Sequence, residues 1–166
     1  MKKSLVVFAV LGLIVFASCQ QRVDVGKEKE AIKAVFEADK SAYFNRDYVS
    51  MGETWAKEPS SMKIWQSDTG LIKIEGWENI NASQRKETED DSWDRKQVNA
   101  TFSNYQIDVM NDSAWVVCDT DWRGVIGDKP MKLRQSRIAF LKKINGEWKF
   151  SLIAIYQIPE AQASEN

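Results

Sequence analysis

From Gln97 to Gln157 the chain alternates apolar and polar residues almost without interruption, and this stretch limits the fold more than any other feature. "QVNATFSNYQIDVM" meets a turn at Asn111-Asp112, then "SAWVVCDTDWRGVI" meets one near Gly127-Asp128. "MKLRQSRIAFLKKI" then meets Asn145-Gly146 and continues into "EWKFSLIAIYQI". Period-two alternation places every second side chain on one face of a strand. Asn-Gly between alternating residues is the strongest short hairpin signal. Four long antiparallel strands are therefore expected, with one face buried.

The period is different earlier in the chain. Over Glu28 to Asn45 the apolar residues Ile32, Val35, Phe36, Ala42 and Tyr43 recur at helical spacing. A second, shorter helix is expected to carry Tyr48, Met51 and Trp55 and to end before Pro59, whose predecessor is pushed out of the helical region. "SMKIWQSD" and "GLIKIEG" read as two short strands around Thr69-Gly70. "WENINASQRKETEDD" reads as a polar, largely exposed helix docked through Trp77 and Ile80, its charge run a solvated end. Helices followed by long antiparallel strands make an α+β domain, with the helices on one face of a curved sheet.

The first residues carry a different message. Two lysines precede an apolar run from Leu5 to Ala17, which is shorter than the roughly 20 residues needed to span a bilayer. Basic start, short apolar centre and small-residue exit make residues 1–18 a secretory signal. Ala17 and Ser18 ahead of Cys19 resemble the lipobox of bacterial lipoproteins, with Phe16 where Leu is usual. That resemblance implies cleavage before Cys19, its acylation, a tether over 19–27 and a place in the cell envelope. Two or more acyl chains hold a protein stably on a membrane, whereas one holds it marginally. The alternative is ordinary signal cleavage nearby, with Cys19 incidental. Which membrane is involved stays open. The other cysteine, Cys118, sits in an apolar run and reads as a small buried hydrophobe; with Cys19 acylated it has no intramolecular partner, so no disulfide framework is expected.

Composition removes several functions. There is no histidine, which eliminates His-based triads, His metal sites and His general bases. Without residues 1–18 the chain carries 21 basic and 24 acidic residues, a balance with no footprint for nucleic acid. No cofactor is expected. The remaining length suits one domain over 28–158, followed by a tail over 159–166.

Three constellations could carry chemistry. Asp39 falls in the middle of the apolar stripe of the first helix, where a carboxylate must be paired, neutral or facing a wet cavity. One reading makes it a cavity acid, with Tyr43 one turn later as a hydrogen-bond donor. The other makes it a structural group bonded to an indole or a guanidinium of the sheet. Asp119 and Asp121 share a strand face opposite Trp122, and only one of Arg134 and Arg137 can face them. Such acids could line a pocket or simply pair with arginine across strands. As a metal site they lack further oxygen ligands. Seven tryptophans give the third signal: Trp55, Trp65 and Tyr156 are pocket candidates, while Trp148 and most others are expected to fill the core.

The order of elements resembles the NTF2-like (SnoaL-like) cone fold. "YFNRDYVSM", "GWENI", "SAWVVCD" and "RIAFLKKINGEWKFSLI" carry that resemblance over Glu28 to about Ile158, with Gly146 and Trp148 at its Gly-x-Trp step. It implies a curved antiparallel sheet packed on about three N-terminal helices, and a cavity. Subgroups of the family place a histidine on the last strand, where this chain has Ala154 or a neighbour, so a His-dependent dehydratase mechanism does not carry over. Isomerase-type members use an Asp base with a Tyr donor. The expected function is a membrane-anchored domain that binds a small, partly apolar ligand or serves as a dimeric scaffold. The alternative is a ketosteroid-isomerase-like or dehydratase-like enzyme using Asp39 with Tyr43 or Tyr156. A homodimer built on the outer face of the strands is a further expectation.

Overall fold

The computed structural model describes residues 24–67 and 69–159. The signal segment, Cys19 and most of the C-terminal tail lie outside them. Helix α1 spans Val25–Phe44 and α2 spans Tyr48–Glu53. Strands β1 (Met62–Ser67) and β2 (Gly70–Glu75) precede α3 (Trp77–Glu89). A single 3-10 turn, Arg95–Gln97, leads into β3 (Val98–Met110), β4 (Ser113–Ile126), β5 (Lys129–Ile144) and β6 (Glu147–Gln157).

Local chemistry sets the boundaries. Asp24 accepts a 3.2 Å bond from the Lys27 amide, so α1 begins at Val25 rather than at Glu28. Asp47 accepts from the Ser50 amide at 3.0 Å and opens α2 in the same way. That helix stops at Glu53, which leaves Trp55 in the segment after it. Asn145 and Gly146 both adopt positive φ (53° and 86°), the conformation of a tight two-residue hairpin turn.

The six strands form one sheet in the order β2-β1-β6-β5-β4-β3. It is mixed rather than wholly antiparallel, because β1 pairs with β6 in parallel. The reason is local. Ala56 donates to the Phe150 carbonyl and Phe150 to that of Thr54, both at 2.8 Å, so the chain enters beside β6 running in its direction. Bulges interrupt β3 between Ser103 and Gln106 and shift the β5–β6 register after Phe140. Bulges bend a sheet, as a cone requires. The first one also lets Phe102 and Tyr105 both turn inward, against Phe36 at ring separations of 5.5 and 5.7 Å.

The core lies between α1, α3 and the inner face of the sheet. Ile32 and Phe36 of α1 and Ile80 of α3 meet Val116, Leu141 and Phe150, all buried. Burying such a side chain stabilises the fold by roughly 1.5–3 kcal/mol, and the edge-on Phe36–Phe150 contact at 4.9 Å adds roughly 0.5–1.5 kcal/mol. Trp148 is buried, and its indole donates to Glu28 at 2.6 Å. Trp115 is an exception among the tryptophans, 45 % exposed on the outer face. Its strand parity is opposite to that of buried Val116, and it packs on Phe140. Among the described residues no helix is long and apolar enough to cross a membrane.

Candidate functional site

One end of the sheet curls around a cavity of about 340 Å³, closed from above by the C-terminal half of α1 and by α3. Asp39, Tyr43, Trp55, Trp65 and Arg137 all line it. So do Lys63, Gln84, Glu87, Phe102, Trp122 and Gln135. Asp119, Asp121, Arg134 and Tyr156 do not. Their strand parity places them on the outer face, where Arg134 and Asn104 each hold Asp119 Oδ2 at 2.9 Å. These three residues form a cross-strand cluster that lowers the Asp119 carboxyl below its ordinary value, through the Asn104 bond first and then Arg134. Alternation had separated Arg134 from Arg137 correctly. What it left open was which parity looked inward. Buried Cys118, Thr120 and Arg137 settle that. On β6 the inward residues are Ile153 and Ile155, and Ala154 faces away.

Asp39 is 9 % exposed. The Thr54 hydroxyl lies 3.0 Å from its Oδ1 and 2.7 Å from the Met51 carbonyl oxygen. A hydroxyl has one proton and a carbonyl can only accept. When Thr54 donates to Met51, the contact with Asp39 is a hydrogen bond only if Asp39 carries the proton. The electrostatics lean the same way. Burial pushes the Asp39 carboxyl above its ordinary range, and Arg137, Lys63 and the Thr54 bond oppose that rise only in part. Burial likewise raises the Tyr43 phenol, with Arg95 opposing, so the hydroxyl keeps its proton at neutral pH.

Lys63 and Glu87 escaped notice in the sequence. They form a two-pronged ion pair at 2.6 and 2.9 Å, which ties β1 to α3 across one side of the cavity. Glu87 belongs to the charge run that was expected to be a solvated helix end. It lies seven residues after Ile80, and Gln84 lies four after it, so helical spacing from that one buried residue would have turned both inward. Arg95 donates to the carbonyls of Tyr43 and Glu87 and stacks 4.2 Å from the Tyr43 ring. It thereby joins the C-terminal ends of α1 and α3, where a cation is favoured. Nothing in its sequence context marks it as buried. No group of acids and cysteines suited to a metal occurs among the described residues.

No family model matches the sequence, and no curated protein matches it. Solved structures do. A protein assigned as a dehydratase of the NTF2-like family from Streptomyces avermitilis superposes with a TM-score of 0.66 at 10 % identity, over 81 % of this chain and 99 % of that one. An NTF2-like protein with a cystatin-like fold from Novosphingobium aromaticivorans gives 0.64 at 12 % identity, over 86 % and 90 %. This chain has the NTF2-like fold. A third structure, assigned as a scytalone dehydratase from the same Novosphingobium species, gives 0.65 at 12 % identity over 80 % and 85 %. At such identities the likeness concerns the cone, and the chemistry of this cone is set by its own lining. The NTF2-like cone here is a concave, largely apolar space with one buried acid, one buried guanidinium and one ion pair on its walls.

Proposed function

We propose that this NTF2-like domain binds a small, partly apolar molecule inside its cone. The observation that carries this reading is the convergence of Asp39, three tryptophans and a buried arginine on one 340 Å³ space. Pockets of this size, apolar with a few polar groups aimed inward, are the usual receptors for small molecules. The test is a thermal-shift screen against metabolites with the wild-type and Asp39→Asn proteins. A ligand that stabilises the wild type and binds altered in the folded Asn variant supports the reading. A screen without any stabilising compound counts against it.

A second reading has its own observation in favour. Asp39 and Tyr43 lie one helical turn apart and line the same cavity, and two structures of the same fold are assigned as dehydratases. In that reading Asp39 moves a proton and Tyr43 donates to a developing oxyanion, as in an isomerase or a dehydratase-type lyase. Catalysis that disappears in Asp39→Asn and drops in Tyr43→Phe, with ligand binding retained, would select it.

The cellular setting is part of the proposal. The lipobox-like segment ending at Cys19 supports a lipoprotein of the bacterial cell envelope. Palmitate labelling should be lost in Cys19→Ala, and labelling that persists overturns the anchor. The exposed Trp115 and Val117 on the outer sheet face support a homodimer formed there.

A further inference from the structure

Arg137 is buried to nine-tenths, and yet the protein offers its guanidinium no hydrogen-bond acceptor. No hydrogen bond joins its guanidinium to a described residue, and its Nε is enclosed without a partner. Its central carbon sits 5.1 Å from the centre of the Phe102 ring, and the side chain faces the cavity. A buried guanidinium whose N–H donors find no acceptor is costly, and its fork is left available to a molecule in the cavity.

The other charges of the lining already have partners. Lys63 is bound to Glu87 at 2.6 Å, and Lys40 to Glu37 at 2.5 Å. Asp39 attracts Arg137 through space, but its hydrogen-bond contact is with Thr54. Among the described residues, the Arg137 guanidinium is thus the cation of the cavity whose donors are unused. A guanidinium presents parallel N–H groups in a planar fork, which fits the two oxygens of a carboxylate. A tetrahedral dianion such as phosphate suits the place less well, because the acids Asp39 and Glu87 share the same walls.

Resting on the small-molecule reading above, we propose that the ligand of this cone is a small monocarboxylic acid, its carboxylate held by Arg137 and its apolar body lying against Trp65, Phe102, Ile153 and Ile155. The volume suits a compact acid with a single ring or a short branched chain. The aromatic and aliphatic walls recognise its body, and the arginine recognises its head.

The test compares two probes of the same shape, 4-phenylbutyrate and 4-phenylbutyramide, titrated calorimetrically into the full-length protein. The acid should bind at least about tenfold more tightly than the amide, the scale of a hydrogen bond gained to a charged group. Arg137→Gln should erase that preference, Arg137→Lys should reduce it, and Trp65→Ala should weaken both probes alike. Circular dichroism checks each variant, and if Arg137→Gln does not fold, the Lys variant decides by whether the preference falls. Equal binding of acid and amide, both weakened by Trp65→Ala, would overturn the carboxylate assignment and leave the pocket reading standing. A preference that survives at either Arg137 variant would overturn it too. Binding of neither probe would overturn both the assignment and the pocket reading.

Discussion

The Thr54 hydroxyl stands between two oxygens, 3.0 Å from Asp39 Oδ1 and 2.7 Å from the carbonyl oxygen of Met51. It links the end of α2 to the C-terminal half of α1 at the one buried acid of that helix. Thr54→Val keeps the shape and removes the hydroxyl, so Asp39 loses its hydrogen-bond partner in a buried site. A loss of roughly 1–3 kcal/mol is expected, read from the urea midpoint at constant slope.

Asp39 also makes stability depend on pH in a definite direction. Its carboxyl is raised above the ordinary 3.8, chiefly by burial, so the folded state holds this proton more tightly than the unfolded one. The contribution is therefore complete below about pH 4 and is lost as pH rises through the higher native value. Asp39→Asn cannot titrate there. Its stability relative to wild type should climb as pH rises from 4 toward 8, and a flat difference across that range would show an Asp39 with no shift.

The Lys63–Glu87 pair offers a double-mutant cycle. Lys63→Met leaves a half-buried Glu87 without its cation and should cost about 2–3 kcal/mol, below the range for fully buried pairs because Glu87 keeps some contact with water. Adding Glu87→Gln to Lys63→Met should recover part of that loss. Denaturant melts of the single and double variants give the coupling.

Gly124 faces a purely steric limit. A Cβ built there would lie 2.2 Å from the Gln97 carbonyl oxygen and 2.6 Å from the Val98 Cα, both backbone atoms that cannot swing aside. Gly124→Ala should destabilise by about 1–3 kcal/mol through overpacking, measured as a lower thermal midpoint.

The outer face gives a test of assembly. Val117→Lys places a charge at a position already 37 % exposed, so the monomer fold should survive. If this face joins two copies, sedimentation should show a concentration-dependent dimer for wild type and a monomer for the variant.

Much of this architecture could be read from the sequence, because each strand carries its own alternation and each hairpin its own turn residues. Asn145-Gly146 is legible alone, and so is Asp39 as an anomaly on an apolar stripe. The parallel β1–β6 pairing was not legible, since it depends on Thr54 and Ala56 bonding to a strand almost a hundred residues later. The inward face of the strands was equally hidden. The acids of β4 and the arginines of β5 give the right parity from alternation, but only their packing tells which set looks into the cone. Glu87, Lys63 and Arg95 were missed for a related reason. Charged residues read as solvent-facing until a partner from another element is seen beside them, and no local pattern announces that partner.

Glu28, near the start of α1, is clamped by Lys143 and by the Trp148 indole, each at 2.6 Å, while Asp39 and Tyr43 near its other end roof the cavity. A helix of 20 residues is about 30 Å long. Asp24, at the start of α1, thus lies at the end of that helix away from the cavity-lining Asp39 and Tyr43. If the cone binds the small molecule proposed above, an attachment at that end of α1 would leave the cavity-lining end uncovered.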